Sequence, residues 1–139
     1  MAIRASLPPL LLDTHAWVWW ITRPERLSRR QRAAIDRVRR AAREPILVSI
    51  ISCWEVALLA QRGRLRFSID ADAWLDRATS LPGLEVVPLS LATISIAVRL
   101  IGLRDPADQL VVATALERGA RLVTSDSQIA GSELVAILS

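Results

Sequence analysis

The stretch LLLDTHAWVWW, Leu10 to Trp20, changes character at a single residue, Asp13. Before it stands a short, wholly apolar run, and after it the apolar residues continue in the manner of a helical turn or two. A run of this kind, bounded by a breaker, reads as a strand buried on both faces. The expected strand spans Ser6 to Asp13, with Pro8 and Pro9 confined to its start, where a missing N–H does least harm. An acid that terminates so apolar a strand costs free energy unless it is solvated or paired, so Asp13 calls for a partner.

The same pattern recurs along the chain. ILVS (Ile46 to Ser49) follows Pro45, LEVVPLS follows the turn at Pro82 and Gly83, ARLVTSD follows Gly119, and LVAIL (Leu134 to Leu138) lies near the end. Helical patterns separate these runs. Ser28 can cap a helix reaching about Arg43, with Ala33, Ala34, Ile35, Val38, Ala41 and Ala42 at helical spacing and arginines on the other face. Ser52 opens SCWEVALLAQRG, which ends at Gly63 in the position of a left-handed cap. A loop leads to a helix from about Asp70, LATISIAVRLIGL is a long apolar helix closed by Gly102, and Asp105 opens one that ends at Gly119. Short strands alternating with helices predict an α/β fold with a parallel sheet covered on both faces.

With 139 residues, 52% of them hydrophobic, the chain can bury one core, and residues 1–139 are expected to form one domain. Mean hydropathy is positive at +0.32, yet no apolar run reaches the roughly 18 residues of a membrane span. MAIRASLPPLLLDTH is a poor signal peptide because prolines break its apolar run and Asp13 closes it. These features read as a cytoplasmic protein with no membrane partner. One cysteine, Cys53, and one histidine, His15, exclude an intramolecular disulfide and a Cys/His zinc set.

All 18 basic residues are arginine, and half of them fall between Arg23 and Arg43. Such a run is either a solvated helix face or a nucleic-acid surface, since guanidinium is well shaped for forked contacts to phosphate. Trp17, Trp19 and Trp20 read as core and partner-facing surface in preference to a base-stacking platform.

The acids carry the chemistry. Asp13 and Asp126 end strands, and the carboxyl ends of strands form the ligand crevice of open parallel sheets. Glu55 and Asp108 lie in first turns of helices that could line the same edge. Four convergent carboxylates repel one another and raise their pKa values, so the set makes physical sense around a divalent cation. Oxygen-only ligands favour Mg²⁺ or Mn²⁺ over zinc or copper, and such ions serve phosphodiester cleavage. There is no Gly-rich phosphate loop of Walker type and no DxD pair after a strand.

Each acid also has an ordinary explanation. Ser52 and Glu55 have the spacing of a capping box, Asp105 is a good N-cap, with Pro106 at N1 and Asp108 welcome near the positive helix end, and Asp126 could start a turn. His15 is either a base or hydrogen-bonding group at the site or a surface residue. Thr124 and Ser125 are strand-end hydroxyls that could fix neighbouring carboxylates.

In order and spacing, LLLDTHAWVWW, SIISCWEVALL, DPADQLVVATAL and LVTSD resemble the PIN-domain ribonucleases, specifically toxins of the VapC type, over nearly the whole chain. The resemblance implies a Rossmann-like α/β/α sandwich with a short, mostly parallel central sheet. It also implies Mg²⁺- or Mn²⁺-dependent endoribonuclease activity on an RNA substrate, a cognate VapB-type antitoxin that inhibits it, and a homodimer. The four family acids match Asp13, Glu55, Asp108 and Asp126, as catalytic and metal-holding residues, with Asp105, Thr124 and Ser125 accessory. Arg29, Arg30, Arg37 and Arg40 become candidates for the RNA backbone on charge density alone. In relatives of this type the first acid usually lies nearer the start, so Met1 to Ser6 reads as an extension, a mis-set start or a non-native addition, and the aromatic residue usual after the fourth acid is absent from SDSQIAG. Two other readings remain: a non-catalytic nucleic-acid or protein-binding module on the same scaffold, and a metal-dependent DNA nuclease or phosphatase.

Overall fold

The structure, a computed structural model, describes residues 8–139. Its elements run β1 (Leu10–Leu12), α1 (Thr14–Thr22), a 3-10 turn (Pro24–Arg26), α2 (Arg29–Ala41), β2 (Ile46–Ser49), α3 (Ile50–Gln61), α4 (Ala71–Thr79), β3 (Leu84–Val87), α5 (Leu91–Ala97), α6 (Pro106–Arg118), β4 (Arg121–Val123), α7 (Ser127–Ser132) and β5 (Ile137–Leu138). The five strands form one sheet in the order β3-β2-β1-β4-β5, with every pairing parallel. The expected α/β/α sandwich is the observed one.

Strand alternation divides the core into two layers. Leu10, Leu12, Ile46, Val48 and Val123 point into one layer, where they meet Trp17, Ile35, Val56 and Trp74 of α1, α2, α3 and α4. Leu11, Leu47 and Leu122 point into the other, against Ala97, Val111, Val112, Ala115 and Ile129 of α5, α6 and α7. All three residues of β1 are buried, as a strand covered on both faces requires. Among the described residues no helix is long and apolar enough to cross a membrane.

Several boundaries differ from expectation for local reasons. The first strand is Leu10–Leu12, and the expected Ser6 and Leu7 lie outside the described residues. Helix α3 starts at Ile50, not Ser52, because the Ser49 hydroxyl caps it by accepting from the Ile51 amide at 3.2 Å. The Ser52–Glu55 capping box therefore does not form. The helix expected to run to Gly102 stops at Ala97, and beyond it the amides of Arg99 and Leu100 turn back onto Ile96 and Ala97 in tighter turns. The 3-10 turn and α7 have no counterpart in the expectation, and the last strand is only Ile137–Leu138.

Gln31 ties α2 to the sheet. Its side-chain carbonyl accepts from the Ser28 amide at 3.0 Å while the Ser28 hydroxyl accepts from the Gln31 amide at 3.1 Å, a reciprocal N-terminal cap. Its amide group donates to the carbonyls of Thr124 (3.3 Å) and Leu138 (3.1 Å), just past β4 and at the end of β5. A fully buried polar side chain is thus satisfied at both ends.

Candidate active site

The carboxyl edge of the sheet is also where three helices begin, each capped by an acid. Asp13 leaves β1 in an extended conformation and caps α1, one carboxylate oxygen accepting from the Ala16 amide at 2.8 Å. Its other oxygen accepts from the Thr124 hydroxyl. Asp105 caps α6 by accepting from Ala107 at 2.8 Å, and Asp126 caps α7 by accepting from Gln128 at 2.8 Å and Ile129 at 3.1 Å. Asp108 follows one turn into α6, in the region of positive helix-end potential. Asp105 is the N-cap expected of it, Asp126 caps a helix where a turn was expected, and Asp13 caps one where no local role was expected, and all three also converge at this edge.

Glu55 is different, since it caps nothing. It sits mid-way along α3, and its carboxylate accepts from the Thr14 hydroxyl at 2.6 Å, while Thr14 Oγ1 also lies 2.9 Å from the buried Ser52 Oγ. Thr124, 1% exposed, performs the matching task across the sheet: it donates to Asp13 and accepts from the Asp126 amide at 3.0 Å. Each of two acids is held by a threonine.

These groups line one cleft of about 420 Å³, walled by Asp13, Thr14, Glu55, Asp105, Asp108 and Asp126, with His15, Trp19, Val111 and Ser125 completing it. All four predicted acids, with the accessory Asp105 and Ser125, face the same space, while Thr124 lies behind it. Among the described residues no arginine lines the cleft. Burial raises the pKa of Asp13 and of Glu55, the hydroxyl of Thr124 or Thr14 partly opposing it in each case. Asp108 is pushed up to about 7 by burial, then by repulsion from Asp105, Asp126, Glu55 and Asp13. Among the described residues no three His, Cys, Asp or Glu side chains stand close enough together to hold an ion as they are placed. The acids ring the cleft without meeting. A ring of carboxylate donors that, among the described residues, has no arginine in its lining, with one carboxyl raised to about 7 by burial and then by its neighbours' charge, fits a hard divalent cation, which would relieve the repulsion.

The PIN domain family model matches residues 10–131, a span that runs from the first residue of β1 through α7. The chain belongs to the PIN domain family. It is of the VapC type: it is 34% identical over 120 residues to Ribonuclease VapC22 of Mycobacterium tuberculosis, covering 86% of this chain and 88% of that one. Among solved structures, VapBC-1 of nontypeable Haemophilus influenzae matches with a TM-score of 0.71 at 11% identity, covering 94% of this chain and 96% of that one. DNA-bound VapBC of Salmonella typhimurium matches with a TM-score of 0.67 at 16% identity, covering 95% and 98%. These two likenesses speak for the fold.

The basic helix of this PIN domain does not enter the cleft. Gln31 places the N-terminus of α2, with Arg29 and Arg30, at the carboxyl edge of the sheet, whereas Arg37 and Arg40 lie about 10–15 Å further along the helix and flank a separate hollow with Ala33 and Asp36. Thr14, Ser52, Gln31 and Trp19 are site or supporting residues that sequence reasoning missed. Ser28-x-x-Gln31 carried the cap signature in plain view, but nothing local foretold that the same amide would reach β4 and β5.

Proposed function

We propose that this PIN domain is the ribonuclease toxin of a type II toxin-antitoxin pair, an endonuclease that cuts RNA with the help of Mg²⁺ or Mn²⁺. The observation that carries the reading is the ring of Asp13, Glu55, Asp108 and Asp126 around one cleft, with Asp108 raised to about 7 by burial and then by the surrounding acids. Similarity to Ribonuclease VapC22 over most of both chains supports RNA as substrate, and the VapBC complexes among the structural neighbours support a VapB-type antitoxin as partner. A homodimer and a cytoplasmic location complete the proposal.

Asp13, Asp108 and Asp126 would hold the cation, and Glu55 would hold a second one or orient water. When bound, the cation supplies charge neutralisation at the scissile phosphate and acidifies water. The protein's own contribution is positional. Thr124 fixes the rotamer of Asp13, Thr14 fixes that of Glu55, and the caps at the starts of α1, α6 and α7 set the spacing of the acids. Asp108 must lose its proton before it can serve, so the working form is favoured above about pH 7 until the cation lowers that requirement.

The test is incubation of the purified protein with labelled structured RNA and matched DNA in Mg²⁺, Mn²⁺ or EDTA, beside Asp13→Asn and Asp108→Asn. RNA cleavage that needs the cation and both acids is expected. Cleavage surviving EDTA, or surviving both substitutions, overturns the mechanism, and cleavage of DNA alone reassigns the substrate.

A further inference from the structure

One wall of the cleft is not acidic. His15 and Trp19 stand four residues apart on α1 and so share a face of that helix. Their rings lie 5.8 Å apart at 55°, and the guanidinium of Arg26, from the turn that follows α1, sits 5.8 Å above the Trp19 ring. From Asp13 outward the cleft wall therefore runs carboxylate, imidazole, indole, and the Arg26 guanidinium stands over the indole outside the lining itself. Trp20 and Trp54, although partly or largely exposed, do not line the cleft. Of the tryptophans, all among the described residues, Trp19 lines the cleft with the acids, and its half-buried ring packs against the core.

We propose that this ledge of His15, Trp19 and Arg26 is a nucleobase subsite, which stacks the base beside the cleaved bond of a single-stranded RNA segment on Trp19. The inference rests on the nuclease reading and adds to it the part of the substrate that the acids cannot hold. A wall of carboxylates repels a phosphodiester chain wherever no cation intervenes, and among the described residues no arginine lines the cleft. A neutral π-face next to the acids offers affinity that is independent of phosphate, and single-stranded RNA is the nucleic acid whose unpaired bases are free to be splayed onto it. Arg26 strengthens the face as a cation over the ring and supplies a positive charge at the outer end, where the next phosphate would leave the cleft. The site therefore prefers unpaired loops to duplex.

The test uses the full chain carrying Asp108→Asn, so that bound RNA stays intact, and reads anisotropy of a labelled single-stranded RNA oligonucleotide in Mn²⁺. Trp19→Ala is expected to raise Kd by about 5- to 100-fold, with Trp19→Phe retaining most of the affinity and Arg26→Ala giving a smaller loss with a reduced salt slope. An abasic scan of the same oligonucleotide is expected to find one position whose loss weakens binding to the parent and has no further effect in Trp19→Ala. If Trp19→Ala melts early, the scan on the parent decides alone. A flat scan, unchanged binding by Trp19→Ala, or equal losses for Phe and Ala overturns the subsite and assigns the ring to packing or a protein contact. Cleavage by the unsubstituted chain is read separately. A positive scan without cleavage keeps the ledge and sinks the nuclease, and cleavage with a flat scan does the reverse.

Discussion

The Thr124 hydroxyl donates to the Asp13 carboxylate across 111 positions of chain, and the same oxygen accepts from the Asp126 amide. One buried side chain thereby sets the rotamer of a strand-end acid and the backbone position of another. Replacing Thr124 by Val keeps the volume and removes both contacts. Groups that orient metal-holding carboxylates typically matter 10- to 100-fold for affinity. Thr124→Val is accordingly expected to weaken Mn²⁺ binding by about that factor in titration calorimetry, with Thr124→Ser restoring most of it.

The raised acids give stability a defined pH dependence. In the fold Asp108 keeps its proton up to about pH 7, whereas in the unfolded chain it releases it near 3.8, so between those values the folded state binds more protons. Stability of the metal-free protein then falls as pH rises through that window, and Asp13 and Glu55 are shifted in the same direction. In EDTA the Tm is expected to drop by roughly 3–6 °C between pH 5 and pH 8. Asp108→Asn should remove most of the slope, and Mn²⁺ should restore the Tm at pH 8. A flat profile in the parent protein would contradict the repulsion argument.

Gln31 anchors the helix that carries the arginines. Gln31→Leu strands the Thr124 carbonyl and the Ser28 amide, while the Leu138 carbonyl keeps the Thr124 amide as a donor at 3.3 Å, and each orphaned group costs about 1–3 kcal/mol. Urea unfolding should show a loss of about 2–4 kcal/mol after partial relaxation, against about 1 kcal/mol for Ser28→Ala, which removes only the hydroxyl cap.

The arginines of α2 should divide by position. Arg29→Glu with Arg30→Glu, at the helix end next to the sheet edge, is expected to weaken RNA binding and lower its salt slope by about 1–2. Arg37→Glu with Arg40→Glu, two turns away around another hollow, should change both much less. Equal effects from the two pairs, measured by anisotropy at several salt concentrations, would mean that RNA runs the length of the helix.

How much of this was legible depended on whether the signal was local. Strands β1 and β2 and helices α2 and α6 announced themselves because apolar period, cap residue and breaker all agreed, as with Ser28 before α2 and Gly119 in a left-handed conformation after α6. Glu55 was expected in the first turn of its helix, with a capping box as its ordinary explanation, because Ser52 imitates a cap; Ser49, at the end of β2, caps the helix first and leaves Glu55 in its middle. Helix α7 escaped notice because SQIAGS offers a single buried apolar residue, Ile129, too few to show a period. The threonine braces and the Gln31 bridge are tertiary contacts between groups 38 to 111 positions apart, and no window of sequence contains both ends.

The caps at the starts of α1, α6 and α7 place folding and chemistry on the same atoms. Asparagine caps a helix nearly as well as aspartate, whereas alanine forfeits about 1 kcal/mol. Inactivation by Asp→Asn should therefore leave an intact, abundant protein, while Asp13→Ala or Asp126→Ala loosens a helix start as it silences the cleft. For a chain whose activity would harm its host, random lesions in these acids are thus filtered twice, and the inert copies that persist in a population should be enriched in asparagine at positions 13 and 126.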